Sequence, residues 1–266
     1  MKRIFFFLFA VFFSISLQSQ IVINELMASN SLAVIDPDFD GTGDWVEFYN
    51  TGVADIDLTG WFATDNLSDS MKWMFPPGAT IEAGGFLILW CDGESTGLHT
   101  SFKLSSEGEE LGIFNASLES QDAIVFEAQD ADISWGRTTD GAPLWSWFNE
   151  STPGSSNNNS TAYEGVVHHL PYFSEVGGFY TDSFTLLLTS IGGEIRYTLD
   201  GTEPTMNSTL YDSPLSILET TFVRGRVFLD NQIPGPTVTH SFFFAKMIAR
   251  LTWAESRPGS ISMAFP

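Results

Sequence analysis

The residues best suited to chemistry lie in an acidic stretch, DPDFDGTGDWVE, which runs from residue 36 to residue 47. Its acids and its first glycine match the spacing of an EF-hand calcium loop, D-x-[DN]-x-[DN]-G-x5-E, at every specified position. Carboxylate and carbonyl oxygens at this density suit Ca²⁺. The candidate calcium ligands are Asp36, Asp38, Asp40, Thr42 through its carbonyl, Asp44 and Glu47.

The segments on either side of this stretch do not fit an EF-hand. The sequences IVINELMAS before it and DWVEFYN at its end alternate apolar and polar residues, which predicts β-strands rather than the two helices of an EF-hand. Position 8 of the loop is Gly43, where a hydrophobic residue is expected. Two interpretations remain for residues 36–41: a calcium loop at the rim of a β-sheet, or an acidic turn with solvated carboxylates.

A second candidate site consists of Trp145 and Trp147 in the sequence LWSWF. Residues two apart share one face of a strand, so two exposed rings would form a platform on which a sugar can stack. The alternative is that both rings fill the core, because large apolar side chains are more often buried than exposed. Seven of the eight tryptophans lie between residues 45 and 147, where a core needs large side chains.

The sequence offers no recognisable catalytic constellation. Its four histidines are His99, His168, His169 and His240, and no G-x-S-x-G motif, P-loop or kinase motif accompanies them. We interpret His99 as a structural hydrogen-bonding residue and the pair at 168–169 as surface residues, because metal sites normally need three or four ligands. We therefore predict no catalytic residues and no enzymatic activity.

The first residues indicate export from the cell. Residues 1–19 combine a basic pair, an apolar run at Ile4–Phe13 and small residues, which predicts a secretory signal peptide cleaved after Ser19. That run is too short to span a bilayer, and no later segment is long and apolar enough, so we expect no transmembrane segment after cleavage. The protein is thus predicted to be secreted or at the cell surface. A single cysteine, Cys91, allows no internal disulfide and favours a bacterial source.

The charge balance restricts the choice of partner. Between residues 21 and 245, six Lys and Arg stand against 32 Asp and Glu, for a net charge of 6 − 32 = −26. Such a body repels nucleic acid phosphates and anionic lipid, so we exclude nucleic acid as a partner. We expect another protein or a surface glycan as the partner, and calcium as the one candidate cofactor.

The chain reads as two blocks of short strands. Apolar runs recur about every ten residues between clusters of Gly, Pro, Asp and Asn, which predicts β-sandwiches or barrels. A stretch rich in Ser, Asn and Gly separates the blocks and is typical of a linker. The predicted organisation is a signal peptide at 1–19, a β-sandwich at 20–150, a linker at 151–167, a second β-sandwich at 168–245 and an unassigned tail at 246–266.

Both blocks resemble known families. The segments INELMASN, DWVEFYN, DLTGW, WMFPPGATIEAGGFLILWCDG, LHTSFKLSSEGEELGIFN, WGRTTDG and STPGSSN make residues 21–157 similar to the lamin-tail domain of secreted bacterial proteins. The segments YFSEVGGFYTDSFTLLL, GEIRYTLDGTEPTMNSTLY and PLSILETTFVRGRVF make residues 168–245 resemble the C-terminal domain of chitobiase-type β-hexosaminidases. These resemblances imply an all-β protein of two tandem immunoglobulin-like β-sandwiches, and neither implies catalytic residues.

The function expected from these features is that of a non-catalytic exported module for binding, adhesion or spacing at the cell surface or outside the cell. In similar bacterial proteins this pair of domains precedes a spore-coat-type kinase domain. One alternative is therefore the accessory N-terminal part of a longer secreted enzyme, kinase-like or hydrolytic, whose catalytic domain is missing. A carbohydrate-binding module is the other alternative.

Overall fold

The computed structural model describes residues 20–244. The predicted signal peptide at 1–19 and the predicted tail at 246–266 lie outside the described residues. Apart from one short 3-10 helix, the regular secondary structure of the described residues is β-strand, which confirms the predicted all-β class. It divides into two compact units, the first ending at Gly165 and the second beginning at Val166. Within residues 20–244, no helix is long and apolar enough to cross a membrane.

Short strands and one 3-10 helix make up the first unit. The strands are β1 (Ile21–Met27), β2 (Asp44–Asn50), β3 (Ile56–Asp57), β4 (Phe62–Thr64), β5 (Trp73–Met74), β6 (Thr80–Ile81), β7 (Phe86–Cys91), β8 (Gly108–Phe114), β9 (Ser120–Glu127), β10 (Ser134–Arg137), β11 (Trp145–Phe148) and β12 (Ala162–Tyr163), with the 3-10 helix at Asn157–Asn159. They form a six-stranded sheet in the order β12-β11-β10-β1-β2-β7, a four-stranded sheet in the order β5-β4-β8-β9, and the pair β3-β6.

The core of the first unit lies between its two larger sheets. Alternation along each strand turns one set of side chains inward, as with Val46 and Phe48 of β2, both fully buried. Leu111 and Ile113 of β8 face them from the four-stranded sheet in the same cluster. The alternation of apolar and polar residues that predicted these strands also places their apolar side chains on one face, which is the face that is buried.

The second unit is a smaller arrangement of the same kind. Its strands are β13 (Gly165–Val166), β14 (Tyr172–Phe173), β15 (Gly178–Tyr180), β16 (Phe184–Leu186), β17 (Leu188–Thr189), β18 (Glu194–Thr198), β19 (Thr209–Leu210), β20 (Leu215–Ile217), β21 (Thr221–Phe228), β22 (Gln232–Ile233) and β23 (Val238–Phe244). The main sheet has the order β15-β23-β21-β18-β19, and β14-β17 and β16-β20 form separate pairs. Val223, Val227 and Phe242 of the main sheet pack with Leu186 and Ile217.

Replacing Phe75 by Ala tests the core of the first unit. Phe75 is fully buried and makes edge-to-face contacts with Phe48 and Trp73. Removing a buried Phe ring leaves a cavity and costs about 3–5 kcal/mol of unfolding free energy. The neighbouring Met74 is exposed, so Met74→Ala is the matched control. Urea denaturation of both variants measures the difference, and equal midpoints would contradict this core.

Candidate cation site and buried carboxylate network

The acidic stretch forms a compact loop between β1 and β2. The Asp36 amide donates to the Gly41 carbonyl at 2.8 Å, and the Asp40 amide donates to the Asp36 carbonyl at 3.1 Å. The Asp36 carboxylate accepts the Asp38 amide at 2.9 Å. Asp40 has a φ of 52°, the left-handed conformation that Asp tolerates better than most residues. The Asp and Gly residues that suggested a calcium loop therefore also account for a self-closing turn.

A histidine that lies far away in sequence reaches this loop. His99 follows β7 on a turn that folds back, with the Trp90 amide donating to the Leu98 carbonyl at 2.9 Å. Its imidazole is only 2% exposed and lies edge-on to Phe39, with ring centroids 4.8 Å apart. Nδ1 lies 2.7 Å from an Asp92 oxygen. The sequence predicted hydrogen bonds for His99 without indicating these partners.

Three carboxylates surround the His99 ring. Besides Asp92, the Asp38 carboxylate lies 3.3 Å from Nε2, and an Asp36 oxygen lies 3.8 Å from Nδ1. Burial alone would lower the pKa of His99, but its hydrogen bonds to Asp92 and Asp38 and the nearby negative charges raise it above the ordinary value. Only a protonated imidazole donates from both ring nitrogens. Both ring nitrogens of His99 thus face carboxylate oxygens, an arrangement that favours the protonated imidazole.

The structure brings together only part of the predicted calcium set. Asp36 and Asp38 meet at His99, and one oxygen each of Asp36 and Asp92 lies with a ring nitrogen of His99 in a group spanning at most 4.8 Å. Asp40 and Thr42 are exposed at the loop surface. The Asp92 contribution carried no sequence signal, because it depends on how the turn after β7 packs against the loop.

Asp44 and Glu47 are placed differently from the prediction. The Asp44 carboxylate accepts the amide of Asn30 at 3.1 Å, and burial raises its pKa. Glu47 pairs with Ile88 of β7, four residues before Asp92. At about 3.3 Å per residue, that separation is roughly 13 Å. Glu47 is therefore not a ligand of this loop, because strand β2 carries it away along the sheet.

Glu47 instead belongs to a buried network that a β-bulge creates. The β1-β2 register passes from Ile23 opposite Phe48 directly to Glu25 opposite Glu47, so Asn24 is the extra residue. Ile23 and Phe48 lie in the core. Alternation then turns Glu25 and Glu47 to the outer face of the six-stranded sheet, where both are nevertheless fully buried.

The segment after β11 covers this outer face and supplies hydrogen bonds to the network. Its Thr152 hydroxyl and Thr152 amide donate to Glu25, and its Gly154 amide donates to Glu47. The other donors lie on strands: the Ser134 hydroxyl of β10 for Glu25 and the Asn24 side chain of β1 for Glu47. The Gly154 amide lies 2.6 Å from its Glu47 oxygen. This differs from the linker predicted for residues 151–167, because these backbone groups are used inside the first unit.

Asn157 is the central amide of the network. Its Nδ2 donates to the Arg137 carbonyl at 2.7 Å and to the Asn24 carbonyl at 3.2 Å, and its Oδ1 accepts the Thr152 hydroxyl at 3.1 Å. Gly136 leaves room for it, since a Cβ there would lie 2.9 Å from Asn157 Nδ2. The residues STPGSSN that suggested a family resemblance thus form the lid of this network.

Burial changes the acidity of both glutamates. It raises the pKa of Glu47 to about 8 and outweighs the hydrogen bonds from Asn24 and Gly154, which lower this pKa; repulsion from Glu25 and Asp140 adds a smaller upward contribution. Burial also raises the pKa of Glu25, against the opposing hydrogen bonds from Ser134 and Thr152. Neutral Glu47 beside Glu25 avoids two adjacent buried negative charges.

The two predicted sugar-stacking tryptophans are half-buried. Trp145 stacks on Trp135 with ring centroids 4.2 Å apart, and the guanidinium carbon of Arg137 lies 5.0 Å from its ring. Trp135 and Trp145 both pack against the core of the first unit. Trp147 lies opposite Tyr163 across β11 and β12. The two rings share a face but are not exposed together, which favours packing as their role.

Comparison with known protein families gives one match in each half of the chain. A family model described as Lamin Tail Domain matches residues 15–134, and one described as Fn3 associated matches residues 185–242. No curated protein matches the chain. These matches, with the described sheets, give two tandem immunoglobulin-like β-sandwiches. The first match ends at the start of β10, whereas the structure continues the same sheet through β11 and β12.

Replacing Asn157 by Ala tests whether the segment after β11 is part of the first unit. The change leaves several buried partners unpaired, each costing about 1–3 kcal/mol, so we expect the unfolding free energy to fall by roughly 3 kcal/mol. Asn158 is exposed, and Asn158→Ala is the adjacent control, expected within about 0.5 kcal/mol of the original protein. Urea denaturation measures both; a negligible effect for Asn157→Ala would support a loose linker.

Proposed function

We propose that this chain is a non-catalytic exported module that binds a protein or a surface glycan through its second unit. The two family matches are to non-catalytic immunoglobulin-like and associated domains, and the buried carboxylates Glu25 and Glu47 of the first unit are hydrogen-bonded within it. The observation that carries the proposal is an exposed aromatic face on the main sheet of the second unit. The likeness of this unit to chitobiase C-terminal domains is part of the same proposal.

This aromatic face consists of Phe179, Phe222 and Phe243. Their side chains are 84%, 45% and 38% exposed, although large apolar residues are more often buried. Phe179 of β15 pairs with Phe243 of β23, with ring centroids 5.5 Å apart. Phe222 of the adjacent β21 lies edge-on to Phe243 at 5.9 Å. Three neighbouring strands thus contribute one continuous patch of the kind that marks interaction sites.

The surroundings of the aromatic face favour approach by a partner. Alternation along β21 places Arg224 and Arg226 on the same outer face as Phe222, while Val223 and Val227 enter the core. Arg196 lies opposite Arg226 on β18. These are three of the six basic residues between residues 21 and 245. A partner therefore meets less negative charge here than the composition of the chain implies.

Replacing Phe179, Phe222 and Phe243 together by Ser tests the proposed surface. Binding of the labelled full chain is measured on a glycan array and on isolated envelopes of the cells that export it. Loss of desolvated aromatic anchors is expected to weaken binding at least about tenfold. The matched control replaces Tyr172, Leu187 and Leu218, which are exposed elsewhere in the unit, by Ser. Equal binding by the original protein and both variants would reject the aromatic face.

We also propose that the loop and His99 hold a divalent cation. Asp36, Asp92 and His99 offer two carboxylates and an imidazole within one ion's reach. Calcium prefers oxygen ligands alone, whereas imidazole with carboxylates suits Zn²⁺. A bound cation would balance the negative charge of Asp36 and Asp92 in place of a proton on the imidazole of His99. We therefore favour Zn²⁺ over the Ca²⁺ suggested by the spacing of the loop.

Thermal unfolding with added ZnCl2 or CaCl2 tests this second proposal. A cation at 100 times its Kd stabilises the folded state by about 2.7 kcal/mol, which raises the Tm by roughly 5–10 °C. Asp36→Asn should abolish the shift, whereas Asp69→Asn, a change at an exposed acid, should retain it. No shift with either metal, or an equal shift in both variants, would contradict the site. A larger shift with Ca²⁺ would restore the calcium assignment.

A further inference from the structure

The loop between β18 and β19 of the second unit encloses a polar cleft. Residues 199–208 form this loop, and together with the adjoining ends of the two strands they line a cleft of about 540 Å³. Clefts that bind small ligands commonly have volumes of about 300–1,000 Å³. The cleft shares no lining residue with the aromatic face of the same unit, so it is a separate candidate site.

Hydrogen bonds from the neighbouring strands fix the shape of this loop. The guanidinium of Arg224 on β21 donates to the Gly201 carbonyl at 2.9 Å and holds the first half of the loop. The guanidinium of Arg196 on β18 donates to the Ser208 carbonyl at 3.0 Å and holds the second half. A cleft that is formed before binding loses little conformational entropy when a ligand enters it.

Three polar groups that line the cleft make no hydrogen bond to any residue between 20 and 244. They are the Tyr197 hydroxyl, the Asn207 side-chain amide and the Thr209 hydroxyl. Tyr197 and Thr209 lie directly opposite each other on β18 and β19, so their side chains share one face of the sheet. The Tyr197 ring lies edge-on to Tyr211, with ring centroids 6.4 Å apart. All three groups are therefore available to a ligand.

The composition of the lining favours a neutral ligand with many hydroxyl groups. Seven of the eight lining residues carry a hydroxyl, carboxyl or amide group, and only Leu199 does not. None of these described residues is basic, and the Asp200 carboxylate would repel a phosphate or another anion. One carboxylate is also too few for a divalent cation, which takes several ligands. Hydroxyl and amide groups both donate and accept, as the hydroxyls of a sugar require.

We propose that this cleft binds a neutral saccharide, with Tyr197, Asn207 and Thr209 as its hydrogen-bonding groups. Asp200 accepts a further hydrogen bond from a sugar hydroxyl, while Leu199 and the Tyr197 ring offer apolar surface to the C–H groups of the sugar. The inference rests on the proposed function in taking the second unit as the binding unit. It adds the chemical class of the glycan and a binding site besides the aromatic face.

NMR titration of the isotope-labelled full chain with cellobiose, maltose and lactose tests the saccharide site. A small ligand with few contacts binds with a Kd of about 1 mM, so each sugar is added up to about 50 mM. At least one of the three should shift the amide signals of residues 197–209 and leave those of the first unit in place. No shift in this segment with any of the three sugars would overturn the proposal.

Two variants identify the binding groups. Tyr197→Phe and Asn207→Ala each remove a polar group that has no partner within the described chain, so both variants should fold normally. Loss of one hydrogen bond to the sugar should raise the Kd about fivefold in each. Tyr172→Phe is the matched control, because Tyr172 is exposed and does not line the cleft, and its Kd should be unchanged. An unchanged Kd in both cleft variants would contradict this site.

The variant with Ser at all three positions of the aromatic face separates this inference from the proposed function. It should keep the sugar-induced shifts of residues 197–209 even where it loses binding to envelopes. Loss of envelope binding in that variant, with no sugar-induced shift in the original protein, would overturn the cleft alone. A neutral Gly-Ser hexapeptide is the probe for the alternative occupant, an extended peptide; shifts with this peptide and none with the sugars would also overturn the saccharide site.

Discussion

The burial of two opposed glutamates, Glu25 and Glu47, is the constraint on which the first unit depends. Removing a carboxylate from water costs several kcal/mol unless hydrogen bonds and protonation compensate. The bulge at Asn24 places a donor beside them, and Ser134 of β10 together with Thr152 and Gly154 of the segment after β11 supply the others. Packing of the apolar core alone is therefore not sufficient for this sheet. Its outer face, which carries the two glutamates, must also be covered by hydrogen-bonding groups. This requirement explains why the first unit continues to Gly165.

The first unit uses two different means of burying acids. At Glu47, burial beside a second acid raises the pKa, and hydrogen bonds from Asn24 and Gly154 oppose that shift. At Asp36, which is also buried, a carboxylate oxygen lies 3.8 Å from Nδ1 of His99, whose pKa the nearby carboxylates raise. The same composition of acids thus gives two different environments, one beside a histidine and one beside a second acid.

The second unit distributes its aromatic residues between two tasks. Phe173, Phe184 and Phe242 contribute to its core, whereas Phe179, Phe222 and Phe243 of the main sheet face outward. Burial of the outer set would require a partner, since its rings already occupy the solvent face of the sheet. The first unit thus buries hydrogen-bonded carboxylates in addition to an apolar core, and the second leaves three aromatic side chains of its main sheet exposed.

The sequence by itself determined the strands, because alternation and turn residues act locally: β1, β2 and β7 lie where apolar runs predicted them. It also determined the turn at residues 36–41. Only the tertiary structure decided the partners of Glu47, His99 and Asn157. Each has a contact with a residue far away in the sequence: His99 with Asp38, 61 positions away, Glu47 with Gly154, 107 positions away, and Asn157 with Asn24, 133 positions away. A one-residue bulge also changes which side chains share a face. A stretch of Ser, Asn and Gly has a composition that suits both a flexible linker and an ordered segment that hydrogen-bonds to a sheet. Only the buried carboxylates beneath residues 152–158 distinguish the ordered segment from the linker.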